Sequence, residues 1–122
     1  MQVKRNSEIK HSIPSGKDPK TYPYAESDKI FHTKQLFLYS EKVAPGKKAS
    51  APHLHSSIDE IIVVTKGELC AKEGSEEVLL NEGDSICFEA GSAQKHFLEN
   101  RSSNDAEFLI FRRAISKNDV IY

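Results

Sequence analysis

The sequence predicts an all-β domain, a sandwich or a barrel, and three observations carry that expectation. From Ile30 onward, short apolar runs alternate with turn signals roughly every 8–12 residues. No run has the length and period that call for a long helix. The chain has 122 residues and a mass of 13.7 kDa, which is one domain's worth. A domain of that size buries about two thirds of its unfolded surface without staples.

Residues 1–29 form an N-terminal arm. It is polar, carries Pro14, Pro19 and Pro23, and shows no helical or strand period. It is either loose or packed on the barrel or on a partner subunit, with Tyr22 and Tyr24 on either side of Pro23 as anchors. Residues 30–122 form the barrel domain. Gln35 to Val43 is a strand, ended by Ala44-Pro45-Gly46. Ala49 to His55 is a short strand, with Pro52 marking an edge or a bend. Ile58 to Thr65 is the most β-branched run and therefore a buried strand. Glu68 to Lys72 and Glu76 to Leu80 form a hairpin around Gly74. Asn81-Glu82-Gly83-Asp84 is the next turn, followed by strands from Ser85 to Glu89 and from Lys95 to Glu99. Glu107 to Arg113 is the last strong strand. Phe88, Phe97, Phe108 and Phe111 read as barrel packing. An open sheet of this many strands leaves edges and an apolar face, so closure or a second subunit is expected, the latter a homodimer.

Charge and composition exclude several classes. Lys and Arg number 17 against 18 Asp and Glu, for a net charge of −1. That balance argues against a nucleic-acid or membrane partner, since either needs a basic excess. No apolar run approaches the roughly 18 residues of a membrane span. Met1 to Lys10 lack an apolar stretch, so no secretory signal is expected. Cys70 and Cys87 sit in apolar runs and read as buried free thiols in a reducing compartment, the cytoplasm.

Three of the five histidines fall at informative places. His53 and His55 are two apart, and on a strand such residues share a face. Glu60 follows on the next strand-like run, and His96 lies far along the chain between turns. Three imidazoles and a carboxylate suit a divalent first-row metal. By spacing alone, chance surface placement stands equally beside a metal site.

The stretch Gly46 to Gly67 resembles the first conserved motif of the cupins, in which a glycine is followed by His-x-His, a glutamate and a second glycine. Here six residues separate Gly46 from His53, four separate His55 from Glu60, and six separate Glu60 from Gly67. The second cupin motif runs from a glycine through Pro-x-Gly to a histidine and an asparagine. Gly83, Glu89-Ala90-Gly91, His96 and Asn100 stand at its positions, with Glu89 in place of proline and two extra residues before His96. The resemblance covers roughly residues 35–113 and implies a jelly-roll, or double-stranded β-helix, barrel. It maps the family's metal ligands onto His53, His55, Glu60 and His96. One divalent ion per chain (Fe, Mn, Ni, Co, Cu or Zn) would keep open positions for a small-molecule substrate. Glu89 at the barrel mouth is a candidate catalytic carboxylate, with a solvated turn residue as the plainer reading.

Function is expected in one of two classes, with a structural role, in which the histidines are incidental polar core, as a third reading. The first is a metal-dependent enzyme on a small polar molecule, performing dioxygenase-type oxidation or isomerase- or decarboxylase-type Lewis-acid chemistry. The second is a non-catalytic small-ligand-binding or sensor module. A fold shared by many chemistries does not choose between them.

Overall fold

A computed structural model describes all 122 residues. Ten strands follow one another: β1 (Glu26–His32), β2 (Leu36–Val43), β3 (Leu54–His55), β4 (Glu60–Lys66), β5 (Leu69–Glu73), β6 (Glu76–Leu80), β7 (Ser85–Phe88), β8 (His96–Glu99), β9 (Ala106–Arg113) and β10 (Val120–Ile121). The sole helical piece is a 3-10 turn at Asn6–Glu8. No helix is long and apolar enough to cross a membrane.

Every pairing between strands is antiparallel. One sheet has the order β1-β2-β9-β4-β7, a second has β6-β5-β8, and β10 pairs with β3. The core draws on both larger sheets. Ile62, Val64, Phe88, Ala106 and Phe108 come from the first, and Leu69, Ala71, Leu80 and Leu98 from the second. The period of two is visible along β4, where Glu60, Ile62 and Val64 are buried and Ile61 is exposed. In register, Glu60 lies opposite Arg112 of β9, and Arg112 lies opposite Phe37 of β2. These three residues form one row at the site end of the barrel.

Tight approach explains Gly67, which has φ +72°. A Cβ there would lie 2.8 Å from the Asp105 carbonyl oxygen and 3.2 Å from Ala106 Cα. Only glycine fits both the backbone conformation and the space. Asn100, fully buried, organises the loop before β9. Its amide donates to the carbonyls of Val43 and Asn104 at 2.8 and 2.7 Å, and its oxygen accepts from the Ser102 amide and hydroxyl.

Several expectations change. The last residues assigned to the arm, Glu26–Lys29, belong to β1, an edge strand whose polar sequence hides it. The rest of the arm lies on the barrel: Ser12 bridges Ser27, Ala25 donates to the Ala49 carbonyl, and Lys47 Nζ donates to the Tyr22 carbonyl at 2.9 Å. Between Ala49 and His55, only Leu54–His55 is a strand. Cys70 is buried, whereas Cys87 is exposed. Cys87 pairs with Ile61 on the outer face of the sheet, because neighbouring Phe88 takes the inward position. Phe111 likewise faces outward, 39% exposed, and is not barrel packing.

Candidate metal centre

The four candidate ligands converge although three separate segments supply them. His53 precedes β3 and His55 lies in it, so both enter from one side. Glu60 opens β4, and His96 opens β8. His96 exchanges two backbone hydrogen bonds with His53, of 2.8 and 3.2 Å, which locks the two segments together. The two extra residues before His96 are taken up in the turn ahead of β8. There Gly91 N–H donates to the His55 carbonyl, and Gly74 N–H to the Lys95 carbonyl.

One ligand-capable atom from each of the four side chains lies within 4.8 Å of the others. Glu60 Oε1 is the focus: His55 Nε2 is 2.9 Å away, His96 Nε2 3.0 Å and His53 Nε2 3.7 Å. His55, Glu60 and His96 are buried and His53 is half-buried. The Phe88 ring stacks on His96 with centroids 3.9 Å apart and a 4° tilt, fixing the imidazole plane.

Tautomers follow from the far nitrogens. His53 Nδ1 lies 2.8 Å from the Ala51 carbonyl, which only accepts, so Nδ1 carries the hydrogen. His55 Nδ1 lies 2.8 Å from Asp119 Oδ1 and donates to it. Both Nε2 lone pairs are thereby turned to the cluster. His55 Nε2 is buried without a hydrogen-bond partner, since its short distance to Glu60 lacks hydrogen-bond geometry. An orphaned buried nitrogen is destabilising. Three imidazoles facing one carboxylate, with one lone pair unsatisfied, fit a cation at their centre. Titration tells the same story. Burial would raise the Glu60 carboxyl, but the three imidazoles gathered around it outweigh that and hold the pKa well below the usual range. Burial would lower His55, but the bonds and charges of Glu60 and Asp119 raise it above its ordinary 6.5.

Asp119 is the residue that sequence reasoning missed. It lies 64 residues from His55, in the segment leading into β10. Its Oδ2 accepts from Ser57 N at 3.0 Å, Ser57 Oγ at 3.1 Å and Ile58 N at 3.1 Å. One carboxylate thus ties the C-terminal strap to both the histidine and the turn before Glu60. No spacing rule announces such a partner.

The cluster opens into a cavity of ≈ 220 Å³. Its walls include Phe37, Ile62, Phe108 and Ile110, with Glu41, Arg112 and the Tyr122 phenol as the ionisable groups besides the cluster. Arg112 Nη1 is 4.0 Å from Glu60 Oε2, and its guanidinium lies 4.2 Å over the Phe37 ring. Tyr122 stands at the rim, its ring 6.1 Å from that of His53. Glu89 is exposed in the turn after β7 and is not among the residues lining the cavity.

A double-stranded β-helix carrying a three-histidine, one-glutamate cluster is the architecture of a cupin barrel. A family model described as a cupin domain matches residues 39–112, and the chain belongs to that family. Solved structures agree. A sugar phosphate isomerase of the cupin superfamily from Silicibacter pomeroyi is 25% identical, with a TM-score of 0.79 over 93% of this chain and 76% of that one. A predicted oxalate decarboxylase from Thermotoga maritima is 22% identical, with a TM-score of 0.76 over 93% and 100%. A polyketide cyclase from Streptomyces resistomycificus is 16% identical, with a TM-score of 0.78 over 100% and 86%. A search of curated proteins found no significant match.

Proposed function

We propose that the chain is a mononuclear metal-dependent enzyme acting on a small polar molecule by Lewis-acid chemistry of the isomerase or decarboxylase type. The observation that carries this is the convergence of three imidazole nitrogens on Glu60 Oε1, with His55 Nε2 buried and unpartnered. His53, His55, Glu60 and His96 would hold the ion. When bound, it would supply Lewis acidity toward a carbonyl or carboxylate oxygen. The chain's own residues do the rest. Asp119 and the Ala51 carbonyl hold two imidazoles in the ligating tautomer. Apolar walls limit water, which strengthens every electrostatic interaction inside. Arg112 offers a cation to an anionic substrate group. The volume of ≈ 220 Å³ lies below the roughly 300–1,000 Å³ of drug-sized sites, which favours a small metabolite.

Oxidation with dioxygen would use the same ligands. A protonatable carboxyl in the cavity, Glu41, favours proton-transfer chemistry instead. The isomerase named for the Silicibacter neighbour is in keeping with that choice. Two unbridged cysteines support a reducing compartment, and we place the protein in the cytoplasm. The outer face of the five-stranded sheet exposes Leu36, Ile61 and Phe111 at 47%, 42% and 39%. That apolar face supports a homodimer.

The test is elemental analysis of untagged protein purified without added metal, beside His53→Ala/His55→Ala. Near-stoichiometric Fe, Mn, Ni, Co, Cu or Zn in the wild type, lost in the folded variant, supports the reading. Wild-type protein that neither contains nor takes up metal overturns it, leaving a metal-free small-ligand-binding or sensor module.

A further inference from the structure

We propose that Glu41 is the proton-transfer residue of this site, acting on a small carbonyl compound held at the histidine–glutamate cluster. The proposal rests on the reading of that cluster as a metal centre. Its warrant is placement. Glu41 lies on β2 in register with Phe108 of β9, which is in turn in register with Val64 of β4. Its row therefore points into the barrel, where Phe108 and Val64 are apolar and Ser27 of edge strand β1 is the other polar member, and Glu41 lines the cavity with the four cluster residues. It makes no ion pair, and no side chain or backbone group hydrogen-bonds to its carboxyl.

An unpaired carboxyl among apolar side chains destabilises a fold, and a leucine or methionine would fill the position better. Glu60 is more deeply buried than half-buried Glu41, but three imidazoles account for it. Nothing structural accounts for Glu41. What this half-buried position offers is a carboxyl group open to the cavity.

The surroundings suit proton transfer near neutral pH. Burial pushes the Glu41 carboxyl up to about 8, against the lowering charge of Arg112 and with the raising charge of Glu60. Tyr22, from the N-terminal arm, has its own phenol raised, first by burial and then by the charges of Glu41, Tyr24 and Tyr122. Positive charge at the cluster would draw Glu41 down toward neutrality. A group poised there both takes and gives a proton.

The chemistry balances without a redox partner. The Glu41 carboxylate takes the proton of a C–H bond next to the substrate carbonyl. The C–H pair becomes the C=C bond of an enolate, and the carbonyl π pair moves onto oxygen. Glu41, now a carboxylic acid, returns the proton to the same carbon. In an α-hydroxy carbonyl it can return it to the adjacent carbon, the hydroxyl proton passing to the other oxygen. Substrate and product are isomers, and Glu41 ends as it began.

Two measurements on wild type, Glu41→Gln and Glu41→Asp test this. The first follows carboxyl protonation by infrared titration and uptake of Zn(II) by chelator competition. The second follows deuterium entry from D2O into dihydroxyacetone, glyceraldehyde and pyruvate with the Zn(II)-loaded protein. We expect a carboxylic-acid band that titrates near neutral pH and is missing from Glu41→Gln, with Zn(II) uptake within twofold of wild type. Exchange into at least one probe should fall roughly 100-fold or more in Glu41→Gln and recover partly in Glu41→Asp. Four results overturn the proposal: a Glu41 that titrates in the ordinary carboxylate range, equal exchange in Glu41→Gln, no exchange by loaded wild type, or a Glu41→Gln protein that loses Zn(II). Failure of wild type to bind any metal instead defeats the metal-centre reading beneath it, which separates the two failures.

Discussion

Asp119→Asn isolates the grip of the C-terminal strap on the candidate metal centre. The native carboxylate accepts four hydrogen bonds, from His55 Nδ1, Ser57 N, Ser57 Oγ and Ile58 N, at 2.8–3.1 Å. An asparagine has the same shape but only one acceptor oxygen. If that oxygen faces His55, its NH2 meets two backbone N–H groups, one of them on fully buried Ile58. Each unsatisfied buried donor there is worth about 1–3 kcal/mol. If the oxygen faces the backbone, the NH2 meets His55 Nδ1, and the ring hydrogen must move to Nε2. That hydrogen then sits on the ring nitrogen that faces the cluster, 2.9 Å from Glu60 Oε1. The second arrangement keeps the metal-free fold largely intact but occupies the lone pair a metal needs. The expected result is therefore asymmetric. Metal-free Asp119→Asn should lose about 1–2 kcal/mol in urea unfolding. Its affinity for Zn(II), measured by chelator competition, should fall about 10–100-fold. A variant that binds Zn(II) within twofold of wild type would refute the claim that Asp119 sets the His55 tautomer.

Three further outcomes are expected. In metal-free protein, raised His55 contributes stability below its ordinary 6.5 that fades as pH rises through its folded value. Depressed Glu60 and Asp119 contribute above their ordinary 4.5 and 3.8 and fade on acidification. Urea midpoints of metal-free protein should therefore peak between about pH 4.5 and 6.5; metal-loaded protein should instead gain stability toward neutral pH, because the ion competes with the His55 proton. A metal-free midpoint still rising above pH 7 would contradict the assigned couplings. Gly67→Ala should lose about 2 kcal/mol or more by thermal unfolding, combining left-handed strain with the clash on Asp105. Gly83→Ala, also at positive φ but in open space, should lose only about 1–2 kcal/mol, and equal losses would remove the clash from the account. By sedimentation the protein should be a dimer that Ile61→Lys/Phe111→Glu converts to a folded monomer, whereas a wild-type monomer would leave that apolar face uncovered.

How legible the site was depended on whether each residue obeyed a local rule. His53 and His55 were readable because residues two apart on an extended chain share a face, and the structure brings both to Glu60. The hairpin around Gly74 was readable from its turn residue and the apolar runs beside it. β1 was not, because an edge strand with one partner and a covering arm needs few apolar residues, and Ser27-Asp28-Lys29 looks like a loop. Cys87 was misplaced because an apolar run does not say which of its members face inward. Pairing with Ile61 decides that. Asp119 and Glu41 were hidden for different reasons. Asp119 acts through a contact 64 residues away. Glu41 looks like an ordinary polar member of an alternating strand until the register shows that it lies on the inward face.

The cluster also poses an electrostatic problem that the fold must solve before any ion arrives. A buried carboxylate ringed by neutral imidazoles gains little from lone pairs pointed at it, and burial alone would drive it to protonate. Attraction between Glu60 and the protonated form of His55 eases this, and the depressed Glu60 and raised His55 are two sides of that one interaction. A divalent ion held by His53, His55, Glu60 and His96 would need no movement of the side chains if their positions are fixed from outside the cluster. That is the arrangement here. The Ala51 carbonyl holds His53, Asp119 holds His55, the Phe88 ring holds His96, and Arg112 approaches the outer oxygen of Glu60. None of these contacts uses Nε2 of His53 or His55, or Oε1 of Glu60. The geometry therefore does not depend on an ion for its assembly, and the protein stripped of any metal should stay folded rather than become an unfolded chain.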